Sequence, residues 1–291
     1  MKCVISGGTG FIGRQIAERL RQDGHEVSSW SRRATAPLAW DPLTGTPSNA
    51  SVDGTDVVLH LAGEPVAQRW NDAAKARIRD SRILGTRRLV DVIARVPRRP
   101  RVLVSASAIG IYGDRGDEIL TEASAHGKGF LVETCEGWEA EADRAANFGL
   151  RVVKLRIGFV LGKGGGALGQ MLPVFRLAVG GRLGSGRQWM PWIHIEDVLE
   201  LLVRAVNDSS MSGVWNATAP NPVTNAEFTR ELGRAVHRPA IFPVPPFALK
   251  LAFGEFAQHM LDSARVIPAV AQSAGHRFRY PEIGPALRNL V

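Results

Sequence analysis

Apolar residues in this chain come in short blocks separated by longer periodic stretches. Lys2-Cys3-Val4-Ile5-Ser6 is a brief apolar run closed by glycines, the form of a buried strand in a parallel sheet. From Phe11 to Asp23 the positions Ile12, Ile16, Ala17 and Leu20 recur at helical spacing, and Gly24 stands where a helix C-cap belongs. Glu26–Ser31 predicts the next strand, and Asp56–Leu61 and Arg101–Ser105 predict two more. Between those two, a long crossover helix is expected over Ala73–Val96, stopped by Pro97. A helix over Glu133–Asn147, closed by Gly149, leads to a strand over Val152–Ile157. Strands alternating with helices predict an α/β fold, a Rossmann-type doubly wound parallel sheet.

Past Gly158 the texture changes. Glycines crowd 162–169 and 180–186, prolines cluster at 239–246, and short helices are expected over 195–207 and 225–236. The reading is an NADP-binding Rossmann domain over 1–160 and mainly a smaller substrate-binding lobe over 161–291. Segment 195–212 is expected to pack back on the Rossmann core.

A length of 291 residues with 45% hydrophobic content suffices for one large core with an appended lobe and argues against disorder. No stretch is apolar enough to span a bilayer, and Met1 leads straight into an apolar run without a signal-peptide layout. Cys3 and Cys135 lie far apart without metal-type spacing, so neither a disulfide framework nor a metal site is expected, and the cytoplasm is the expected compartment. A net charge of +8 and a pI near 10.2 raise the question of nucleic acid. The arginines are scattered, however, and the densest cluster (Arg98, Arg99, Arg101) is broken by Pro100 and lacks aromatics. An RNA-binding reading therefore rests on net charge alone.

Gly7-Gly8-Thr9-Gly10-Phe11-Ile12-Gly13 lies between the first predicted strand and helix, the context that gives a glycine motif meaning. Gly7 would make the tight turn, Gly10 would let backbone approach a pyrophosphate, and Gly13 would let helix pack on sheet. Thr9, Phe11 and Ile12 join them as candidate cofactor contacts, at a helix N-terminus that favours phosphate. A plain glycine turn is the bland alternative. At the end of the second strand, where an NAD site carries a carboxylate for the ribose 2′-hydroxyl, this chain has Ser31-Arg32-Arg33. A hydroxyl and two guanidiniums suit a 2′-phosphate, so the expected cofactor is NADP(H), unless the arginines are merely solvated.

These residues resemble the extended short-chain dehydrogenase/reductase superfamily, the group of sugar-nucleotide epimerases and dehydratases. Gly7–Gly13, Leu61-Ala62-Gly63, Ser105–Gly113 and Pro191–Val198 carry the likeness, which covers nearly the whole chain. His60–Glu64, Arg69-Trp70-Asn71, Leu161–Gly166, Gly184–Arg187 and Trp192-Ile193-His194 are similar to an atypical, poorly characterised NAD(P)-dependent epimerase-like branch. Its members sometimes carry a cell-division-inhibitor label that nothing in this sequence supports. The resemblance implies cofactor contacts at Leu61, Ala62, Gly63, Glu64 and Ser105, and oxidoreductase or epimerase-like chemistry.

Two departures from the family pattern stand out. Active members use a Tyr-x-x-x-Lys pair, in which lysine lowers the tyrosine pKa so that phenolate acts as base. The best register puts Cys135 at the tyrosine position and Glu139 at the lysine position. Tyr112 and Tyr280 are the only tyrosines, and neither has a lysine four places on. Asp80–Thr86 matches the family's Asn-Val-x-Gly-Thr stretch with Arg82 in place of asparagine. Arg82 reads either as a phosphate or ribose contact or as a solvated helix residue.

The candidate catalytic residues are Ser107, Cys135 and Glu139, each with an alternative. Ser107 could polarise a substrate oxygen or be a small residue packed at a sheet end. Cys135 could be a nucleophile, but a buried apolar thiol is the stronger reading. Glu139 could be a desolvated base or a solvated helix carboxylate. The loop Lys163-Gly164-Gly165-Gly166, before a helix beginning near Ala167, outlines an anion site or a hinge. Arg187, Trp192 and His194 are the candidate substrate contacts, with Trp189 beside them, although a lone histidine is more often a structural hydrogen-bonder. The leading expectation is an NADP(H)-dependent oxidoreductase or epimerase-like enzyme for a small molecule, a nucleotide- or phosphate-bearing one being the favoured class. The alternative is a non-catalytic NADP(H)-sensing binding or regulatory protein, supported by the missing Tyr-x-x-x-Lys pair.

Overall fold

The computed structural model describes residues 1–33, 36 and 38–291. The first half of the chain runs β1 (Lys2–Ser6), α1 (Phe11–Gln22), β2 (Glu26–Ser29), β3 (Val57–His60), α2 (Asp72–Arg95), β4 (Val102–Ala108), β5 (Ile119–Leu120), α3 (Phe130–Asp143) and β6 (Arg151–Ile157). It continues through β7 (Phe159–Gly162), α4 (Gly166–Arg176), β8 (Trp189–Met190), β9 (Trp192–His194), α5 (Ile195–Asn207), β10 (Gly213–Ala217), β11 (Val223–Thr224) and α6 (Asn225–Ala235). The last elements are α7 (Pro246–Phe253), α8 (Phe256–His259), β12 (Arg265–Val266), α9 (Ala269–Ser273) and α10 (Ile283–Leu290).

Six strands form one all-parallel sheet in the order β10-β6-β4-β3-β1-β2. Strands β1, β3 and β4 carry largely buried apolar runs because both faces are covered there. Cys3 and Ile5 of β1, with Val102 and Val104 of β4, enter the core on one face together with α1 and α5. Val4 and Leu103, pointing the other way, join the core beneath α2. A third core, around Trp192, Phe228 and Leu287, belongs to the smaller lobe.

The chain leaves the sheet for the lobe after β6 and comes back. Helix α5 lies against α1, and β10 completes the sheet beside β6 in a register that pairs Asn216 with Arg156. The return to the sheet thus comprises a helix and a strand. Strand β4 also runs three residues past the expected end at Ser105, which places Ser107 in register with Arg156. Helix α3 starts at Phe130 and gives way at Asp143 to a 3-10 turn, Arg144–Phe148. Helices α7 to α10 are too short for an apolar period to declare them.

A buried hydrogen-bond chain fixes the end of β3. Ser6 Oγ accepts from the backbone N–H groups of Leu61 (3.1 Å) and Ala62 (3.2 Å), so its own proton goes to His60 Nδ1, 2.7 Å away. His60 is thereby the Nε2–H tautomer, and it donates to Thr86 Oγ1 at 3.0 Å. Burial, with the charge of Arg82 adding to it, pushes the imidazole pKa down to about 4 from 6.5. His194 is also pushed down to about 4, mainly by burial.

A histidine held neutral in the fold but free to charge when unfolded makes stability fall as pH drops from about 6.5 toward 4. For His60 the loss between pH 7 and pH 5 should be about 2 kcal/mol. Urea denaturation of the wild type and of His60→Gln at both pH values tests this. The variant should show a flatter pH dependence, and equal slopes would exclude His60 as the source.

Candidate functional site

The sheet order sends the chain from β1 outward to β2 and then back over β1 to β3. The crevice at the carboxyl ends of β1 and β3 is thus the switch point where α/β sheets take ligands. The glycine loop fills one side of it. Gly7 has φ +72, and a Cβ there would meet the backbone of Leu61 and Ala62 at 2.9 Å. A Cβ at Gly13 would collide with the Gly7 carbonyl, and one at Gly8 with Ser29 Oγ. Gly10 N–H donates to the Gly7 carbonyl at 2.9 Å, closing the turn. Among the described residues no side chain caps α1, so its first-turn N–H groups and dipole end face the crevice. A larger residue at Gly7, Gly8 or Gly13 would therefore run into the loop's own neighbours.

Ser31, Arg32 and Arg33 follow β2 on the same edge. Ser31 is half-buried, bridges Ala39, and takes the Arg33 N–H on its Oγ at 3.2 Å. Arg32 and Arg33 are exposed, and no Asp or Glu occurs between Trp30 and Trp40. Arg82 is not the solvated helix residue that is one of its two readings, since burial is the main influence on its guanidinium. Its Nη1 donates to the carbonyls of Glu64 (2.9 Å) and Ile78 (3.1 Å), while the guanidinium lies against Gly63 and over the Trp138 ring. It braces the segment after β3. Ser81 Oγ supports the same segment by accepting from the Glu64 N–H at 3.0 Å.

Ser107 and Glu139, 32 residues apart, meet at the end of β4. Ser107 Oγ donates to Glu139 Oε1 at 2.6 Å. Arg156, on the neighbouring strand, clamps the same carboxylate with Nε to Oε1 at 2.8 Å and Nη2 to Oε2 at 2.9 Å. Its Nη1 donates to the Tyr112 hydroxyl at 3.0 Å, and that hydroxyl donates to Asn216 Oδ1 at 2.7 Å. Burial by itself would raise the Glu139 pKa; hydrogen bonds from Arg156 and Ser107, with Lys154 nearby, outweigh it and hold the carboxyl below the usual range. Glu139 is therefore buried and ionised, and the solvated-carboxylate reading does not hold. Tyr112 is fully buried, and burial raises its pKa, so it stays a neutral phenol.

Cys135 lies in the same wall, but burial pushes its thiol up to about 12. A thiol that stays protonated is no nucleophile, and the buried-thiol alternative is the one realised. Ser105 is buried, with its hydroxyl bonded to the Ala106 carbonyl at 3.0 Å.

The glycine-rich turn after β7 folds as a tight hairpin over the Phe11 ring, where a Cβ at Gly162, Gly165 or Gly166 would run into it. The expected anion loop and the dinucleotide loop are thus one packed unit. Arg187 is exposed on the loop before β8. The other two expected substrate contacts turn inward. Trp192 has no exposed surface and donates its indole N–H to the Asn221 carbonyl at 3.1 Å. His194 accepts the Glu196 N–H on Nδ1 to cap α5, meets Asn289 Oδ1 through Nε2, and stacks on Tyr280 at 3.8 Å. Both are structural, because each polar atom already has its partner inside the lobe.

Sequence reasoning missed Arg156, Lys154, Tyr112 and Asn216. The signal was present: Lys154 and Arg156 are cations inside a central apolar strand, and such charges need buried partners. It also missed Trp70, which packs on Phe130 of α3 and on Phe256 and His259 of α8, clasping lobe to sheet domain. Among the described residues no His/Cys/Asp/Glu group could hold a metal ion, and no helix is long and apolar enough to cross a membrane.

Comparisons with known proteins agree with this geometry. Residues 3–217 match the NAD dependent epimerase/dehydratase family, and residues 244–290 match a domain of unknown function, DUF1731. The chain is 41% identical to the chloroplastic homolog of epimerase family protein SDR39U1 from Arabidopsis thaliana, spanning all of this chain and 87% of that protein. The human epimerase family protein SDR39U1 (isoform 2), solved with NADPH, superposes with a TM-score of 0.90 at 35% identity, over 100% of this chain and 99% of that one. A nucleoside-diphosphate sugar epimerase from Corynebacterium glutamicum is 39% identical with a TM-score of 0.81, over 99% of this chain and 57% of that one.

Removing one partner of a buried ion pair strands the other charge. Arg156→Met alone should therefore cost about 3–5 kcal/mol in urea denaturation, and adding Glu139→Leu should restore much of it. A cost below about 1 kcal/mol, the range of exposed pairs, would mean the pair is solvated.

Proposed function

The chain belongs to the NAD dependent epimerase/dehydratase family, and from that premise we propose that it is an NADP(H)-binding, epimerase-like oxidoreductase whose proton-handling group is Ser107 backed by Glu139. The observation that carries the cofactor choice is the pair of exposed arginines after β2, in a stretch from Trp30 to Trp40 that contains no Asp or Glu, beside the glycine loop. The human relative crystallised with NADPH supports the same choice. When bound, such a cofactor exchanges hydride with a substrate carbon.

The residues of this chain would handle the proton. Ser107 Oγ donates a hydrogen bond to Glu139 and keeps lone pairs free to accept from a substrate hydroxyl. As it takes that proton, its own passes to Glu139. Arg156 and Lys154 keep Glu139 ionised and ready to receive, so the favoured direction is removal of a hydroxyl proton. The same cations make Glu139 a weak base, and slow turnover is expected. Arg187, with the open N-terminus of α4 behind the glycine hairpin, suits a phosphate- or nucleotide-bearing substrate. Because Cys3 and Cys135 are both free thiols, a reducing compartment such as the cytoplasm is the expected setting.

A non-catalytic NADP(H)-sensing role is the second reading. It is favoured by the neutral Cys135 thiol and the clamped Glu139, which leave no strong base at the position of the family's tyrosine and lysine.

Calorimetric titration of nucleotide-free protein should show NADPH binding more tightly than NADH. Arg32→Ala and Arg33→Ala should each narrow the preference by about ten-fold, one charge-assisted contact apiece. Gly13→Ala should abolish binding of both, and equal affinities in the wild type would remove the NADP(H) assignment. With an active substrate, Ser107→Ala should lower kcat by about 100-fold while NADPH affinity holds. NADPH-dependent stabilisation without turnover across carbonyl and sugar-nucleotide substrates would favour the sensing role.

A further inference from the structure

One face of α6 carries Ala226, Thr229, Arg230, Gly233 and Arg234 at helical spacing, opposite the buried Phe228 and Leu232. Together with Arg182 and the turn after the helix, it lines an open cavity of about 570 Å³, a volume in the range of small-molecule sites. The turn is tight. Arg238 N–H returns to the Gly233 carbonyl at 2.9 Å, where a Cβ on Gly233 would meet the Arg238 carbonyl at 2.9 Å, and His237 sits at φ 55. This geometry brings Arg238 back into the lining that holds Arg230 and Arg234.

Four guanidiniums therefore share one cavity whose lining contains no carboxylate. Glu231 contacts Arg230 (3.6 Å) and Arg234 (2.7 Å), one negative charge for two positive ones. Among the described residues, Arg182 and Arg238 bond only to backbone carbonyls, which orient them without neutralising them: Arg182 to Ser185, and Arg238 to Arg176 and His237. The sequence around them is free of acids, with no Asp or Glu over 163–195 or 232–254. Thr229 is also in the lining, and its buried hydroxyl has no hydrogen-bond partner. Like charges crowded in this way, beside an unpaired buried hydroxyl, are what a bound anion would satisfy.

We propose that this cavity binds a small polyanion carrying at least two phosphate groups, at a site separate from the dinucleotide crevice. The planar guanidinium forks match phosphate oxygens, and Ala240 and Ile241 in the wall leave room for an organic body. The site stands independently of the redox reading.

Calorimetric titration with inorganic pyrophosphate, in saturating NADPH so that the dinucleotide loop is filled, tests it. One equivalent should bind. The Arg182→Gln/Arg238→Gln double variant should bind at least about ten-fold more weakly, given the strength of charge-assisted contacts. NADPH affinity, measured in parallel, should be unchanged. Failure of the wild type to bind, binding that survives the double variant, or an equal loss of NADPH affinity would each overturn the proposal.

Discussion

The bond between Glu139 and Arg156 is the constraint around which the site is arranged. Neither charge could occupy the interior alone, since moving one unpaired ion out of water costs several kcal/mol. Paired, they reach from α3 to a central strand, and what remains of their hydrogen-bonding capacity sets their neighbours. The carboxylate takes the proton of Ser107 and so fixes which way that hydroxyl faces. The guanidinium holds Tyr112, and Tyr112 holds Asn216 on the strand that returns from the lobe. A buried ion pair at the end of β6 thus doubles as the tie that keeps the last strand in place.

Two further contacts join the cofactor side to the lobe. The Phe11 ring, at the start of α1, lies under the glycine hairpin that begins α4. Trp70 packs between α3 and α8, and its backbone N–H reaches the Phe253 carbonyl at 3.2 Å. Both contacts use backbone or aromatic faces, so they hold position through shape and burial and are insensitive to salt. Asp197 adds a third tie deeper in: its buried carboxylate accepts the N–H groups of Arg279 and Tyr280, pinning the C-terminal segment on α5.

What could be read in advance follows from the range of each interaction. The glycine loop was legible because its glycines fall at fixed spacing between a strand and a helix, although the backbone that excludes a side chain at Gly7 comes from Leu61 and Ala62. Helix α5 was legible because its apolar stripe runs its full length. Ser107 and Glu139 could be named as candidates, but not as partners, since only the strand register and the fall of α3 bring them together. Trp192 and His194 misled for the same reason. A tryptophan and a histidine beside a motif say nothing about which way the strand turns them, and β9 turns both inward.

The clamp on Glu139 also bears on how this chain could have diverged from relatives with a tyrosine–lysine pair. A lysine placed at 139 would stand beside Arg156 and Lys154 with the shared carboxylate gone, leaving Asp143, on Lys154, as the nearby acid. A tyrosine at 135 would need ring-sized space where the thiol is packed on every side. Each replacement is disfavoured on its own unless Arg156 changes with it. The charge that residue 139 can carry is therefore set by a neighbouring strand as much as by its own helix.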